Sequence, residues 1–194
     1  MQAHDNQRKS VYPISPIFLN RWSPRAMSGE PITDEQLMTL FEAARFAPSA
    51  FNEQPWRFIY AHKDTQVFTE LFNSIVPFNQ TWAHAAAVLV VVVSKSVFER
   101  NGKVSQTASF DTGAACMSLA LQGSIDGLVV HAIAGFDYEG VRTLLRIPVE
   151  YTIEVMFAVG KPGKVEDLPI ELQTREKPSG RKVLEEIVFK DVFE

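Results

Sequence analysis

The sequence predicts a single compact domain in which α-helices and β-strands are interleaved. Residues 87–93 are rich in valine without polar alternation, which is typical of a central strand covered on both faces. Residues 105–126 carry apolar side chains at helical spacing and are followed by Gly127, a typical residue beyond a helix end. The 194 residues lie within the range of one domain and suffice to bury a sizeable core.

The other elements follow from local patterns. Thr33 and Gln36 form a capping-box pattern ahead of an apolar helical stripe, so a helix is expected to begin there and to end near Pro48. The remaining predictions are an arm over 1–16, strands at 57–61, 128–131 and 152–159, and helices at 67–75 and at 141–145, the last beginning near Asp137. The residues expected to face the core from the 105–126 helix are Phe110, Ala114, Met117, Leu121 and Ile125.

The C-terminal residues 161–194 are predicted to form a tail. Three prolines punctuate the polar part of this tail, so it is expected to travel over the surface. Residues 184–193 are apolar again and must dock somewhere. An extended segment could add a strand to the sheet of a partner, which makes a dimer the simplest hypothesis.

Composition excludes several classes of protein. The net charge is −4 and no basic stripe with interleaved aromatic residues is present, which argues against a nucleic-acid surface. The longest apolar run, residues 85–93, is too short to cross a bilayer. The polar first ten residues lack the apolar region of a secretion signal, so a cytoplasmic protein is expected. The single cysteine, Cys116, permits no internal disulfide and is expected to be buried.

The histidines do not predict a metal site. His4, His62, His84 and His131 are scattered and lack the paired spacing of metal ligands. His131 lies at the end of a predicted strand and is interpreted as a core residue rather than a proton donor. No glycine-rich dinucleotide fingerprint or phosphate-binding Walker loop is present.

Three polar segments interrupt the regular pattern, at residues 21–25, 48–56 and 179–182. Guanidinium groups offer paired donors to phosphate oxygens, and a neighbouring hydroxyl can add another. Arg21, Ser23 and Arg181 are therefore a candidate phosphate clamp. Taken singly, each arginine is weak evidence, because a surface arginine is usually an ordinary solvated residue.

Two of these strings resemble the nitroreductase family. They are Arg-x-Ser-x-Arg at 21–25 and Glu-Ala-Ala-Arg-x-Ala-Pro-Ser-x-x-Asn-x-Gln-Pro-Trp-Arg-Phe at 42–58, and further similarity covers nearly the whole chain. The resemblance implies an α+β fold, a three-layer α/β/α sandwich whose central sheet is mostly antiparallel and whose C-terminal tail extends onto a partner subunit. It also implies a homodimer that binds FMN at the subunit interface.

The resemblance further implies a set of cofactor-binding residues. Arg21, Trp22 through its backbone, Ser23 and Arg181 match positions that hold the phosphate, with Ser179 beside them. Arg25 matches a basic residue near the flavin pyrimidine ring and is the candidate electrostatic stabiliser, and no catalytic group beyond the flavin is expected. The alternative for Arg25 is an ion pair with Asp34 or Glu35. The remaining expected contacts are Pro48, Ser49, Ala50 and Asn52 from the neighbouring subunit, Asn79 and Gln80 near the ring, and Ala132, Ile133, Ala134 and Gly135 behind it.

The activity that the resemblance implies is hydride transfer from NAD(P)H, a transient co-substrate, through flavin N5 to a small acceptor such as a nitroaromatic or a quinone. Two departures from the family pattern bear on the acceptor. Residues 132–136 read Ala-Ile-Ala-Gly-Phe where many relatives carry Pro-Glu-Gly, and Trp22 stands where a basic residue or histidine is common. The alternatives are a specialised relative that fragments its flavin or removes halogen, and a non-catalytic flavin carrier or sensor.

Overall fold

The centre of the fold is a four-stranded sheet in the order β1-β2-β4-β3. The computed structural model describes residues 8–193. Its strands are β1 (Trp56–His62), β2 (Val88–Lys95), β3 (Val129–Ile133) and β4 (Tyr151–Gly160). Each pairing between them is antiparallel. The predicted antiparallel character of the sheet is confirmed.

Helices precede, separate and follow these strands. They are α1 (Pro16–Asn20), α2 (Asp34–Arg45), α3 (Gln66–Ser74), α4 (Pro77–Ala83), α5 (Ala108–Ile125), α6 (Tyr138–Leu144) and α7 (Ile170–Gln173), with short 3-10 turns at Ala50–Asn52, Val165–Asp167 and Leu184–Glu186. The predicted start of α2 is confirmed, because the Thr33 hydroxyl accepts from Gln36 N at 3.1 Å and Gln36 Oε1 accepts from Thr33 N at 3.0 Å. Helix α4 was not predicted. Within residues 8–193, none of the helices has both the length and the apolar character needed to span a membrane.

The sheet separates two apolar cores, and β2 contributes to both. Leu89 and Val91 point into the core covered by α3, α4 and α6. Val88 and Val90 point into the core covered by α2 and α5. This alternation explains why the valine-rich sequence shows no polar face: both faces of β2 are buried. The three-layer α/β/α arrangement is confirmed.

Helix α5 turns a different face to the core from the predicted one. Its buried residues include Ala115, Leu119 and Gly123, whereas Phe110 is 79% exposed and Ile125 is 65% exposed. The small residues allow close approach to the sheet, since a Cβ atom on Gly123 would lie 2.5 Å from a methyl group of Val130. The expected core-facing stripe was therefore wrong for Phe110, Met117 and Ile125, which are exposed. Of its other two residues, Leu121 is half-buried, and Ala114 packs against the core covered by α2 and α5.

The C-terminal tail crosses the surface as expected, but part of it contributes to the core. Leu168 and Leu172 are buried in the core under α3 and α6. Beyond residue 182 the apolar side chains are exposed, including Val188 at 63% and Val192 at 60%. Docking of this segment onto a partner subunit stays a prediction.

Candidate functional site

A cavity of about 340 Å³ opens where segments from opposite ends of the chain meet β3. Residues 21–25 form one wall, residues 175–181 another, and His131 of β3 a third. Its lining residues are Arg8, Arg21, Trp22, Ser23, Arg25, His131, Arg175, Lys177, Ser179 and Arg181. All six cofactor contacts predicted in the 21–25 and 179–181 segments are therefore brought together within one chain. We call this space the arginine cavity.

The arginine cavity carries an excess of positive charge. No aspartate or glutamate lines it, and among residues 8–193 neither Arg21 nor Arg181 forms an ion pair with a carboxylate. Burial lowers the pKa of Arg21, and the nearby charge of Arg181 lowers it further. Closely spaced guanidinium groups repel one another unless an anion lies between them. The donor set of Arg21, Ser23 and Arg181 thus fits the phosphate of a nucleotide cofactor.

A buried carboxylate fixes the position of Arg25. Glu176 Oε1 accepts hydrogen bonds from Arg25 N at 2.5 Å and from Ala26 N at 2.9 Å. Its Oε2 lies 3.7 Å from Arg25 Nη1, and the Glu176 side chain is only 1% exposed. Arg25 therefore pairs with Glu176 and, within the part of the chain that the structure describes, with neither Asp34 nor Glu35. Sequence reasoning missed Glu176, which lies 151 residues from its partner.

His131 is held as a neutral ring. Its Nδ1 lies 2.7 Å from the Pro24 carbonyl oxygen, and its ring centroid lies 4.4 Å from that of Trp82. Burial lowers the pKa of His131 to about 4, and the charge of Arg25 also lowers it. The ring is neutral at pH 7, and Nδ1 carries the proton because a carbonyl can only accept. A neutral ring with a hydrogen-bonded Nδ1 argues against a proton-donor role, but His131 is half-buried and lines the arginine cavity, so the expectation of a core residue was wrong. No group of three or more potential metal-ligating side chains occurs within residues 8–193.

The loop between α2 and β1, residues 48–54, lies outside the lining of the arginine cavity. Phe51 and Asn52 adopt left-handed backbone angles, with φ of 54° and 57°. Such angles are uncommon for residues other than glycine and are found disproportionately at functional sites. Asp111 at the start of α5 holds the loop by accepting from Ala50 N at 3.1 Å. The predicted contacts of Pro48, Ser49, Ala50 and Asn52 with a flavin on the neighbouring subunit stay predictions.

The segment 132–135 continues β3 beyond His131. Gly135 is packed closely, since a Cβ atom there would lie 2.9 Å from a Val76 methyl group and 3.2 Å from Asn79 Nδ2. Its carbonyl accepts from Val76 N at 3.0 Å. The structure thus places Asn79 beside this segment, and the predicted contact of Asn79 with a flavin stays a prediction. The predicted contacts Ala132, Ile133, Ala134 and Gly135 share one short stretch of chain and do not line the arginine cavity.

Gln80 has local partners that the sequence did not suggest. Its side-chain amide donates to the carbonyl oxygens of Ile75 at 2.8 Å and Phe72 at 3.2 Å, at the end of α3. These bonds add to the hydrogen bonding of carbonyl groups at the C-terminal end of α3. A contact between Gln80 and a flavin stays a prediction.

These features define a class of protein. A three-layer α/β/α fold with an antiparallel sheet carries a pocket of arginines beside one strand, without acidic residues in its lining. That combination is suited to holding a phosphorylated ligand against the sheet.

Comparison with known proteins identifies the family. The chain matches the model of the Nitroreductase family over residues 19–76 and 64–161, and it belongs to that family. It is similar to a solved FMN-containing oxidoreductase with 41% identity and a TM-score of 0.93 over 97% of both chains. A Streptomyces coelicolor protein named for NADH dehydrogenase and NAD(P)H nitroreductase activity is 24% identical over 76% of this chain and 84% of its own. The major NAD(P)H-flavin oxidoreductase of Aliivibrio fischeri is 28% identical over 47% of this chain and 43% of its own.

Proposed function

We propose that this chain is an FMN-dependent oxidoreductase that takes hydride from NAD(P)H and passes it through flavin N5 to a small acceptor such as a nitroaromatic or a quinone. The observation that carries the proposal is the arginine cavity, whose charge and donors fit a phosphate. Family membership and the similarity to an FMN-containing oxidoreductase support the same cofactor. When bound, FMN supplies the hydride-carrying ring, and the chain supplies binding and electrostatics.

The cofactor phosphate is bound by the two segments that form the cavity walls. Arg21 and Arg181 present guanidinium forks, and Ser23 Oγ lies 3.4 Å from Arg21 Nη1. A charged hydrogen bond to phosphate is stronger than a neutral one, particularly where the donors are partly buried, as Arg21 is. The phosphate therefore anchors the nucleotide, and the rest of the site has to orient the ring.

Arg25 acts as a fixed cation beside the ring. Glu176 accepts a hydrogen bond from the backbone N–H of Arg25 and lies 3.7 Å from its guanidinium, so a buried opposite charge keeps the cation near this position. A cation that is already in place favours the form of the cofactor that carries negative charge. Arg25 thus serves as the electrostatic stabiliser, positioned by Glu176.

The site is completed in a homodimer. The face of α5 that carries Phe110, Met117 and Ile125 is exposed in the single chain, and so are the apolar residues of the tail. An exposed apolar surface of this extent is typical of a protein interface. The 48–54 loop, held by α5 but outside the cavity of its own chain, is then available to the site of the neighbouring subunit.

Residues 1–194 are proposed to form one domain, with an arm over 1–16 and a crossing tail over 161–194. The two cores that share one sheet support this division. The cytoplasmic location expected from the sequence stays a prediction.

The cofactor and the donor are tested together. Purified protein is expected to show oxidised-flavin absorbance, and anaerobic stopped-flow mixing with NADH or NADPH should bleach it rapidly, with recovery on adding a quinone or nitroaromatic. Arg181→Ala should weaken FMN binding. Lys182→Ala is the control and should not weaken it, because the Lys182 amine lies 3.8 Å from the Glu186 carboxylate and Lys182 does not line the cavity. A chain that binds no FMN would overturn the proposal. Bound flavin reduced only slowly by both donors would identify a carrier or sensor instead.

The dimer is tested by sedimentation velocity. The wild-type protein is expected to be dimeric, and Ile125→Asp should shift it towards monomer because the charge would be buried in the interface. Val149→Asp is the matched control, since Val149 is 92% exposed in the turn before β4. A monomeric wild-type protein that retains FMN would contradict the dimer.

A further inference from the structure

We propose that Arg8 is a third phosphate-binding arginine, which contacts the phosphate of the flavin nucleotide in the arginine cavity together with Arg21 and Arg181. The inference rests on the proposed function, which assigns the cavity to that phosphate. Arg8 was not among the residues predicted to bind the cofactor. It precedes the Arg-x-Ser-x-Arg string by 13 positions, as measured to Arg21.

The contacts of Arg8 connect the two walls of the cavity. Its Nε donates to the Ser179 carbonyl at 2.7 Å. Its Nη1 donates to the Arg21 carbonyl at 2.8 Å and to the Leu19 carbonyl at 3.2 Å. One guanidinium therefore bridges the segment that carries Arg21 and the segment that carries Arg181, which are separated by most of the chain.

The position of Arg8 places its charge beside two like charges. Arg8 lines the cavity together with Arg21 and Arg181. Burial lowers the pKa of Arg8, and the charges of Arg181 and Arg21 lower it further. An anion shared by the three guanidinium groups would offset their mutual repulsion.

A phosphate monoester suits this arrangement. It carries close to two negative charges and three strong acceptor oxygens, so it can accept from several guanidinium groups at once. Arginine presents its donors as a planar fork, which lysine does not. Arg8 already bridges the two walls, so its guanidinium is in place to donate to a phosphate bound between Arg21 and Arg181.

FMN and riboflavin provide the test, because riboflavin lacks only the phosphate. Apoprotein is titrated with each flavin, and quenching of flavin fluorescence gives the dissociation constants. Arg8→Gln, which keeps amide donors but loses the charge, should weaken FMN binding by about ten- to a hundred-fold. Its affinity for riboflavin should stay within about two-fold of wild type. The FMN affinity of Arg8→Lys should lie between those of wild type and Arg8→Gln.

Lys9→Gln is the matched control. Lys9 is exposed and does not line the cavity. Its substitution removes the same charge from the position next to Arg8. It should change neither constant. Arg8→Gln with unchanged FMN affinity would overturn the proposal. Equal weakening of FMN and riboflavin would also overturn it, since that is the result of a purely structural bridge.

Inorganic phosphate separates this proposal from the proposed function. Phosphate is expected to raise the thermal midpoint of wild-type apoprotein and of Lys9→Gln more than that of Arg8→Gln. If wild type binds neither flavin but keeps this difference, the proposed function fails while the phosphate role of Arg8 stands. If phosphate stabilises all three proteins equally, the role of Arg8 is refuted.

Discussion

Protonation of His131 is predicted to destabilise the fold in mild acid. The half-buried ring packs against Trp82 and donates to the Pro24 carbonyl, and its pKa falls from 6.5 to about 4. The unfolded chain therefore binds a proton that the folded chain excludes, so stability is full above pH 6.5 and is lost as the pH falls towards 4. At 1.36 kcal/mol for each pKa unit, the complete loss is about 3 kcal/mol.

The assay is urea unfolding at about pH 7 and about pH 4.5, followed by circular dichroism. Most of the loss in the free energy of unfolding should have occurred by about pH 4.5. His131→Asn is the control, because an asparagine amide can still donate to the Pro24 carbonyl but does not titrate. Other titrating groups are common to both proteins and cancel in the comparison. The wild type should lose about 2 kcal/mol more than the variant over this interval. Parallel losses, or an NMR titration of His131 near its ordinary pKa, would refute the reasoning.

Three further predictions concern single side chains. Glu176→Gln keeps an acceptor for the backbone but removes the charge that holds Arg25, so the free energy of unfolding should fall by about 1–2 kcal/mol, and no change in urea unfolding would contradict this. Burial raises the pKa of Cys116 to about 12, so its thiol should react about a thousand-fold more slowly with Ellman's reagent than an ordinary thiol until urea unfolds the chain. Thr33→Ala should cost about 1 kcal/mol through loss of the α2 cap, whereas Thr39→Ala on the exposed face of α2 should cost less than about 0.5 kcal/mol.

Local patterns predicted the elements whose structure depends on neighbours in sequence. The start of α2 follows from a capping box, and the buried strand β2 follows from a run of valines. Helix α4 could have been found as well. Pro77 occupies its first turn, where proline needs no backbone donor and its fixed φ suits a helix.

The core-facing side of α5 could not be predicted in the same way. Apolar side chains surround most of this helix, so spacing alone does not distinguish the face that packs on the sheet. Because α5 lies close to β3, only small side chains such as Ala115 and Gly123 fit between the helix and the sheet. The larger Phe110 and Ile125 were left outside, where a second subunit can cover them.

The candidate site shows the same division. Arg21, Ser23 and Arg181 stand in recognisable strings, and the structure places them around one cavity. Glu176 and Arg8 stand in no motif. Their roles depend on contacts across 151 and 171 residues of chain, to Arg25 and Ser179, and such contacts exist only once the fold has formed.

The walls of the arginine cavity come from near the beginning and near the end of the polypeptide. A ligand held between them would join residues 21–25 and residues 175–181 through one set of bonds. At a free concentration a hundred times its dissociation constant, such a ligand adds about 2.7 kcal/mol to stability. Chains without the ligand would therefore open more readily than chains that hold it, and these two segments would be more accessible to proteases when flavin nucleotide is scarce.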